Sequence, residues 1–143
     1  MDSSIPLLPC MCASFRRASR ALTSLYERAL RPVNLRATQF TVLQALSLAG
    51  EVTQGMLGRM LAMDSTTLTR TLAIMVRHGW IARRPGKDRR EWRIQLSKDG
   101  KIQLERALPY WDSVQTQLRT KLGMEAWENL QKLTDKVTNA VTE

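Results

Sequence analysis

Two cysteines close to the start of the chain, Cys10 and Cys12, are separated by a single residue. Thiolates react with oxidants and bind soft metal ions. Arg16 and Arg17 follow about one helical turn after Cys12, and nearby positive charge favours the thiolate form. Because the sequence contains no other cysteine, a disulfide framework that staples the core is excluded.

Three interpretations of this Cys-x-Cys pair stay open. The thiols sense an oxidant or an electrophile, or they bind a thiophilic ion such as zinc, cuprous copper or trivalent arsenic. In the third interpretation Cys10 and Cys12 are ordinary small residues at a partly packed chain end. A complete structural zinc site needs four ligands, and the sequence contains one histidine, His78.

Side chains for acid–base or nucleophilic catalysis are otherwise scarce. The sequence contains no nucleophile elbow, no phosphate-binding glycine loop and no cluster of carboxylates, so each of the usual catalytic constellations lacks members. We therefore expect a protein that is not an enzyme and that requires no cofactor.

Positive charge is concentrated in one part of the chain. The 143 residues carry a formal net charge of +9. The segment from Arg70 to Leu96 contains eight basic and two acidic side chains, whereas residues 97–143 contain seven of each. Clustered Lys and Arg side chains bind phosphate favourably because they release condensed counterions. Charge alone predicts an anionic partner, either nucleic acid or an anionic membrane.

The apolar stretch from Ile5 to Cys12 is short and is interrupted by Pro6 and Pro9. It has neither the length of a membrane span nor the preceding basic region of a secretory signal. We therefore expect a cytoplasmic protein without a membrane partner.

Apolar periodicity predicts the elements that position these side chains. A stripe at helical spacing predicts a first helix over residues 11–31, ended by Pro32. A second helix is predicted from about Ala37 to Leu48, with Gly50 at its C-terminal end.

Two short helices follow, with Thr53 and Asp64 as their N-terminal caps. About three residues, Ala62 to Asp64, separate them. So tight a connection is typical of a helix-turn-helix, whose second helix presents its N-terminal residues to the major groove of DNA.

A β-hairpin with an arginine-rich tip is predicted next. Residues 80–84 form the first strand, residues 85–89 the turn, and the alternation from Trp92 to Leu96 indicates a strand with one buried face. Ser97 caps a long helix that Pro109 is expected to bend, and a final apolar stripe follows Gly123.

These elements predict a mainly α protein with a small β-hairpin, in one domain over residues 1–143. A winged helix-turn-helix lobe occupies about residues 37–96, and the dimerisation helices occupy about 10–31 and 98–142. The terminal helices carry more apolar surface than the small lobe needs, and a closed two-fold homodimer would bury it.

The helix order and the run from Asp88 to Gly100 together resemble the multiple antibiotic resistance regulator (MarR) family of winged helix-turn-helix transcriptional regulators. The resemblance extends from about Phe15 to Val141, and the stretch from Met63 to Arg70 is similar to the start of the family's recognition helix. The family's wing signature is Asp-x-Arg, then an apolar residue, Leu, Ser or Thr, and Gly. Its positions are matched here by Asp88, Arg90, Ile94, Leu96, Ser97 and Gly100.

The resemblance implies two sets of DNA contacts. Arg90 would enter the minor groove, where a guanidinium suits the negative potential of narrow A·T-rich DNA, and Asp88 would orient Arg90 through an ion pair. Hydroxyl and guanidinium groups at the start of the recognition helix would face the major groove. The expected major-groove residues are Ser65, Thr66, Thr67, Thr69 and Arg70, and the wing set adds Arg84, Lys87 and Arg89 to Asp88 and Arg90.

The expected function is that of a sequence-specific DNA-binding regulator: a repressor that binds a pseudo-palindromic duplex and is released by a ligand, an oxidant or a thiophilic metal. The alternative is an architectural or nonspecific nucleic-acid-binding protein without an inducer. In this family the inducer pocket lies between the dimerisation helices and the winged lobe, where Phe15, Tyr110 and Trp111 could contribute aromatic surface.

A subgroup of the family, the organic hydroperoxide resistance regulators, senses oxidants through a cysteine at the start of helix one, the place of Cys12 here. Nearby tyrosines activate that cysteine in the subgroup. Tyr26 matches one of them, but Arg16 and Ala37 occupy the places of others. The resemblance to this subgroup is therefore partial.

Overall fold

Six α-helices and a three-stranded sheet make up residues 5–142, the part of the chain that the computed structural model describes. Residues 1–4 and 143 of the predicted domain lie outside the described residues. The helices are α1 Met11–Leu30, α2 Ala37–Ala49, α3 Gln54–Leu61, α4 Ser65–Arg77, α5 Lys98–Leu122 and α6 Met124–Val141. The strands are β1 Val52–Thr53, β2 Ile81–Pro85 and β3 Trp92–Leu96. The mainly α fold with a hairpin is confirmed.

Three predicted helix caps are present. The Thr53 hydroxyl accepts a hydrogen bond from the Met56 N–H at 3.1 Å, and an Asp64 carboxylate oxygen accepts one from the Thr67 N–H at 2.8 Å. The Ser97 hydroxyl accepts a third from the Gly100 N–H at 3.0 Å. Each bond satisfies an N–H group that has no partner within its helix.

The sheet contains one strand that the sequence analysis missed. Its order is β1-β3-β2, and Val52 of β1 pairs with Ile94 of β3. A strand of two residues is too short to show alternation, so no local pattern marks it. Strand β2 also begins at Ile81 rather than Trp80, because the Trp80 N–H bonds back to the Met75 carbonyl at the end of α4.

A 3-10 turn over Arg31–Val33 was also not predicted, and it contains the Pro32 that ends α1. Helix α5 continues through Pro109 as one element.

The hydrophobic core lies where α2, α3, α4 and the sheet meet. Its fully buried side chains include Leu43, Leu57, Leu72, Met75 and Ile94. Leu104 and Ala107 of α5 extend this core. Helix α5 therefore links the winged lobe to the terminal helices through buried contacts.

The first turn of α5 packs against the loop that follows α4. The Ser97 hydroxyl donates a hydrogen bond to the Gly79 carbonyl at 2.5 Å, and the Ser97 N–H donates to the Trp80 carbonyl at 3.0 Å. Gly100 lies directly beneath that Trp80 carbonyl, with no room for a Cβ atom. The Ser97 and Gly100 positions of the wing signature therefore dock α5 onto the end of α4.

Helix α6 has no buried residue in the single chain. Its apolar side chains stay exposed, including Leu130, Leu133 and Val137. Among residues 5–142, no helix combines the length and the apolar character that crossing a membrane requires.

We predict that Gly100→Ala lowers the free energy of unfolding by about 1–3 kcal/mol, the usual cost of forcing an extra carbon into a packed site. The added Cβ would overlap the Trp80 carbonyl oxygen, which is backbone and cannot rotate away. Urea unfolding followed by circular dichroism measures the change.

Gly55→Ala is the matched control, since Gly55 lies in α3 with nothing within 4 Å of an added Cβ. Replacing this helical glycine should leave stability unchanged or raise it by up to about 1 kcal/mol. Equal stability of the Gly100→Ala variant and the parent would contradict the proposed close contact.

Candidate nucleic-acid interface

Helix α4 is buried along one face and exposed along the other. Leu68, Leu72 and Met75 face the core. The five residues predicted to face the major groove are all exposed in its first two turns, namely Ser65, Thr66, Thr67, Thr69 and Arg70. The structure therefore brings this predicted set together on one accessible surface.

Two of these hydroxyl groups already have partners. The Thr67 hydroxyl donates to Asp64 Oδ2 at 2.8 Å, and the Thr69 hydroxyl accepts from Gln54 Nε2 at 2.9 Å. Within residues 5–142, the side chains of Ser65, Thr66 and Arg70 show no such bonds. These three are the groups of α4 most available to an external partner.

Asp64 keeps its charge at the start of this helix. Hydrogen bonds from the Thr67 N–H and the Thr67 hydroxyl lower the pKa of the Asp64 carboxyl below its ordinary value. A carboxylate is also favoured there by the positive end of the helix dipole.

The tip of the wing is a tight turn between β2 and β3. The Gly86 N–H bonds to the Glu91 carbonyl at 2.7 Å, and the Glu91 N–H bonds to the Asp88 carbonyl at 2.9 Å. The side chains of Lys87, Arg89 and Arg90 are exposed around this turn. Three cationic groups are therefore displayed at the tip.

The expected ion pair between Asp88 and the Arg90 guanidinium is absent from residues 5–142. Asp88 Oδ1 instead accepts a hydrogen bond from the backbone N–H of Arg90 at 3.1 Å. A carboxylate two residues before the N–H that it binds closes a local turn. In this structure Asp88 therefore shapes the backbone that carries Arg90 and leaves the guanidinium exposed.

Arg84, which was assigned to the DNA-binding set, lies in β2 opposite Arg93, in the pair next to the last one before the turn. Its guanidinium forms an ion pair with Glu51, and Arg93 binds the same carboxylate oxygen through Nε at 2.8 Å. Sequence reasoning missed Glu51 and Gln54, because each contacts residues distant in the chain and neither belongs to a recognisable local motif.

Helix α4 and the wing tip line a common groove. Its volume is about 830 Å³, and its walls include Ser65 of α4 together with Asp88, Arg90 and Trp92 of the wing. Arg59 of α3 also lines this groove. Of the predicted sets, the groove is lined by Ser65 of α4 and by Asp88 and Arg90 of the wing. The predicted residues that do not line it are Thr66, Thr67, Thr69, Arg70, Arg84, Lys87 and Arg89.

The two thiols lie at the start of α1, far in sequence from α4 and the wing. Cys10 is the residue before the helix and Cys12 is in its first turn, and both are exposed and unbridged. Within residues 5–142, no group of three or more His, Cys, Asp or Glu side chains is placed to hold a metal ion. Within this range the two thiols therefore have no third ligand beside them.

Tyr26 is too far from Cys12 of its own chain to activate that thiol. The two residues are 14 positions apart on α1, about 21 Å along a helix, and the Tyr26 hydroxyl donates a hydrogen bond to Gln115 of α5. Burial raises the pKa of Tyr26.

Tyr26 lines a second cavity, of about 720 Å³, between α1, α2, α5 and α6. Phe15 and Trp111 line it as predicted, whereas Tyr110 does not. Trp111 stacks on Phe40 with ring centroids 5.9 Å apart. The lining contains no ionisable acid or base other than Tyr26.

Comparison with known proteins assigns this arrangement to a family. The sequence model of the MarR family matches residues 33–91. The M. tuberculosis transcriptional regulator MosR, solved in complex with DNA, is 36% identical with a TM-score of 0.83, over 92% of this chain and 95% of that one. This chain belongs to the MarR family.

Two further relatives agree with that assignment. A mutant of MarR from E. coli, solved with operator DNA, is 26% identical with a TM-score of 0.79, over 89% of this chain and 92% of that one. An uncharacterized HTH-type transcriptional regulator of Bacillus subtilis, YwoH, is 30% identical over 89 residues. That match covers 62% of this chain and 65% of YwoH, just under two thirds of its length. MarR-family members are transcriptional regulators rather than enzymes.

We predict a pH-dependent difference in stability between the parent and Asp64→Asn. A carboxyl whose pKa is lowered by folding stabilises the protein above its unfolded pKa of about 4, and this stabilisation is lost as the pH falls through the folded pKa. The parent should therefore melt higher than Asp64→Asn at pH 7, and the gap should narrow by about pH 3. Thermal melts across this range test it, and a gap independent of pH would contradict the role of Asp64.

Proposed function

We propose that this protein is a homodimeric transcriptional regulator that binds a pseudo-palindromic DNA site and represses the adjacent gene. The observation that carries the proposal is the single groove shared by Ser65 of α4 and Arg90 of the wing. A recognition helix in the major groove and a basic hairpin beside it would contact adjacent parts of one duplex. The two relatives solved with DNA support this assignment.

The charge distribution supports duplex DNA as the partner. Lys87, Arg89 and Arg90 are exposed at the wing tip, and Arg70 is exposed on α4. Arg59 of α3 and Arg90 of the wing line the groove itself. Cationic groups in and around the groove suit a phosphate backbone on either side of the bases that are read.

The exposed apolar face of the terminal helices supports the homodimer. Met11 of α1 is 69% exposed, and Leu133 and Val137 of α6 are 54% and 36% exposed. A second copy would remove this surface from water, and a two-fold axis would then present two recognition helices to two half-sites.

We assign the release of DNA to the thiols at the start of α1. Both are exposed, so an oxidant can reach them without unfolding the chain. A thiophilic ion is the alternative trigger, but it would need further ligands from the partner subunit or from solvent to complete a tetrahedral site. The aromatic cavity offers a separate place for a small-molecule inducer, and its lining favours an uncharged one.

We predict that Arg90→Ala weakens binding to the operator by about 1–3 kcal/mol, the usual contribution of an arginine that contacts bases. The guanidinium is exposed at the wing tip, so its removal should not disturb the core. Fluorescence anisotropy with a labelled operator measures the affinity, and sedimentation checks that the dimer is retained.

Arg106→Ala is the control, because Arg106 is an exposed cation of α5 outside the winged lobe. It should bind the operator nearly as tightly as the parent. Parental affinity of the Arg90→Ala variant would refute the wing assignment.

We also predict that Cys12→Ser keeps its affinity for DNA but is no longer released by oxidants. A serine hydroxyl preserves the size of the side chain but cannot be oxidised or bind soft metals in the way a thiolate does. Release from the operator is measured against titrations of peroxide, hypochlorite and thiophilic metals.

Cys10→Ser and the double variant show whether one thiol or both are needed. Release by metals alone would identify the ion as the trigger. If the double variant and the parent respond alike to every compound, the cysteines are not the sensor.

A further inference from the structure

Glu51 lies where the helix-turn-helix and the wing meet. It follows the end of α2 and precedes β1, which pairs with β3 through Val52 and Ile94. Its carboxylate contacts Arg84 of β2 and Arg93 of β3. One acidic side chain therefore bridges the strand before α3 to both strands of the hairpin.

The Glu51 carboxylate offsets the repulsion between the two arginines. Arg84 and Arg93 are directly opposite each other in the β2–β3 register, and like charges at opposite positions of an antiparallel pair destabilise it. The Glu51 carboxylate lies between them and is only 24% exposed. Hydrogen bonding from Arg93 is the largest cause that lowers the pKa of Glu51, so the carboxylate stays ionised.

The same end of the hairpin has a second cationic contact. The Arg83 guanidinium lies over the Trp92 ring, 4.5 Å from its centroid. Three of the wing's arginines thus make contacts within the lobe, while Lys87, Arg89 and Arg90 are exposed at the tip. The arginines of the paired strands therefore hold the wing to the lobe, and the tip carries the charge that is available to a partner.

We propose that Glu51 is a positioning residue for DNA binding: it holds the paired strands of the wing against the helix-turn-helix so that Arg90 reaches the DNA. This inference rests on the proposed DNA-binding function. A purely electrostatic role for Glu51 makes the opposite prediction. A negative charge beside a DNA-binding surface repels phosphate, so its removal would strengthen binding and increase the salt dependence.

Glu51→Gln distinguishes the two roles by the sign of its effect. The amide has nearly the same shape but cannot neutralise two guanidinium groups. If Glu51 positions the wing, affinity for the operator falls, roughly tenfold and within the range expected for loss of Arg90 itself. Tighter binding with a steeper salt dependence would overturn the proposal.

Glu91→Gln is the matched control. Glu91 lines the groove beside Arg90, and within residues 5–142 it forms no ion pair. Removing its charge should strengthen binding slightly, as electrostatics alone predicts. Weakening of both variants to the same extent would show that the loss does not depend on the Glu51 contacts and would overturn the specific role of Glu51.

A double variant separates positioning from general loss of stability. In the Arg90→Ala background the Glu51→Gln change should cost little further affinity, because the group that it positions is already gone. Fully additive losses would overturn the proposal. If the parent protein binds no DNA duplex, the proposed DNA-binding function itself is wrong. If Arg90→Ala weakens binding and Glu51→Gln does not, only the role of Glu51 fails.

Discussion

The contact between the first turn of α5 and the loop after α4 constrains the rest of the structure. Gly100 allows α5 to reach the Trp80 carbonyl, and Ser97 bonds to the carbonyls of Gly79 and Trp80. Helix α4 ends at this loop, the hairpin begins there, and α5 leads from it to the terminal helices. A change in the tilt of α5 would therefore move both proposed DNA-contacting elements together, the kind of rigid coupling that a switch requires.

The basic side chains of the wing form two groups: one group makes contacts within the protein, and the other is exposed. In the paired strands, Arg84 and Arg93 share the Glu51 carboxylate, and near them Arg83 stacks on Trp92. At the tip, Asp88 binds the backbone N–H of Arg90 and leaves the guanidinium exposed. Net charge along the segment therefore overstates the charge available to DNA. In both places acidic groups organise the hairpin rather than simply reduce its charge.

Much of this architecture could be predicted from local sequence signals. Thr53, Asp64 and Ser97 cap helices because a side-chain oxygen meets an unpaired N–H a few residues away, an interaction visible in sequence. Strand β1 was missed because two residues show no period. Glu51 was missed because its partner Arg93 lies 42 positions away. For Asp88, the sequence indicated Arg90 as the partner, but Asp88 binds the backbone N–H of Arg90 rather than its guanidinium.

We propose that α4 and the wing together read a specific DNA sequence, in contrast to a nonspecific basic surface. Selection of bound duplexes from a randomised pool by the full chain distinguishes the two. We expect enrichment of an inverted repeat whose half-site centres are one helical turn, ~10 base pairs, or a multiple of it apart. Binding without any enriched sequence, governed by salt concentration alone, would contradict it.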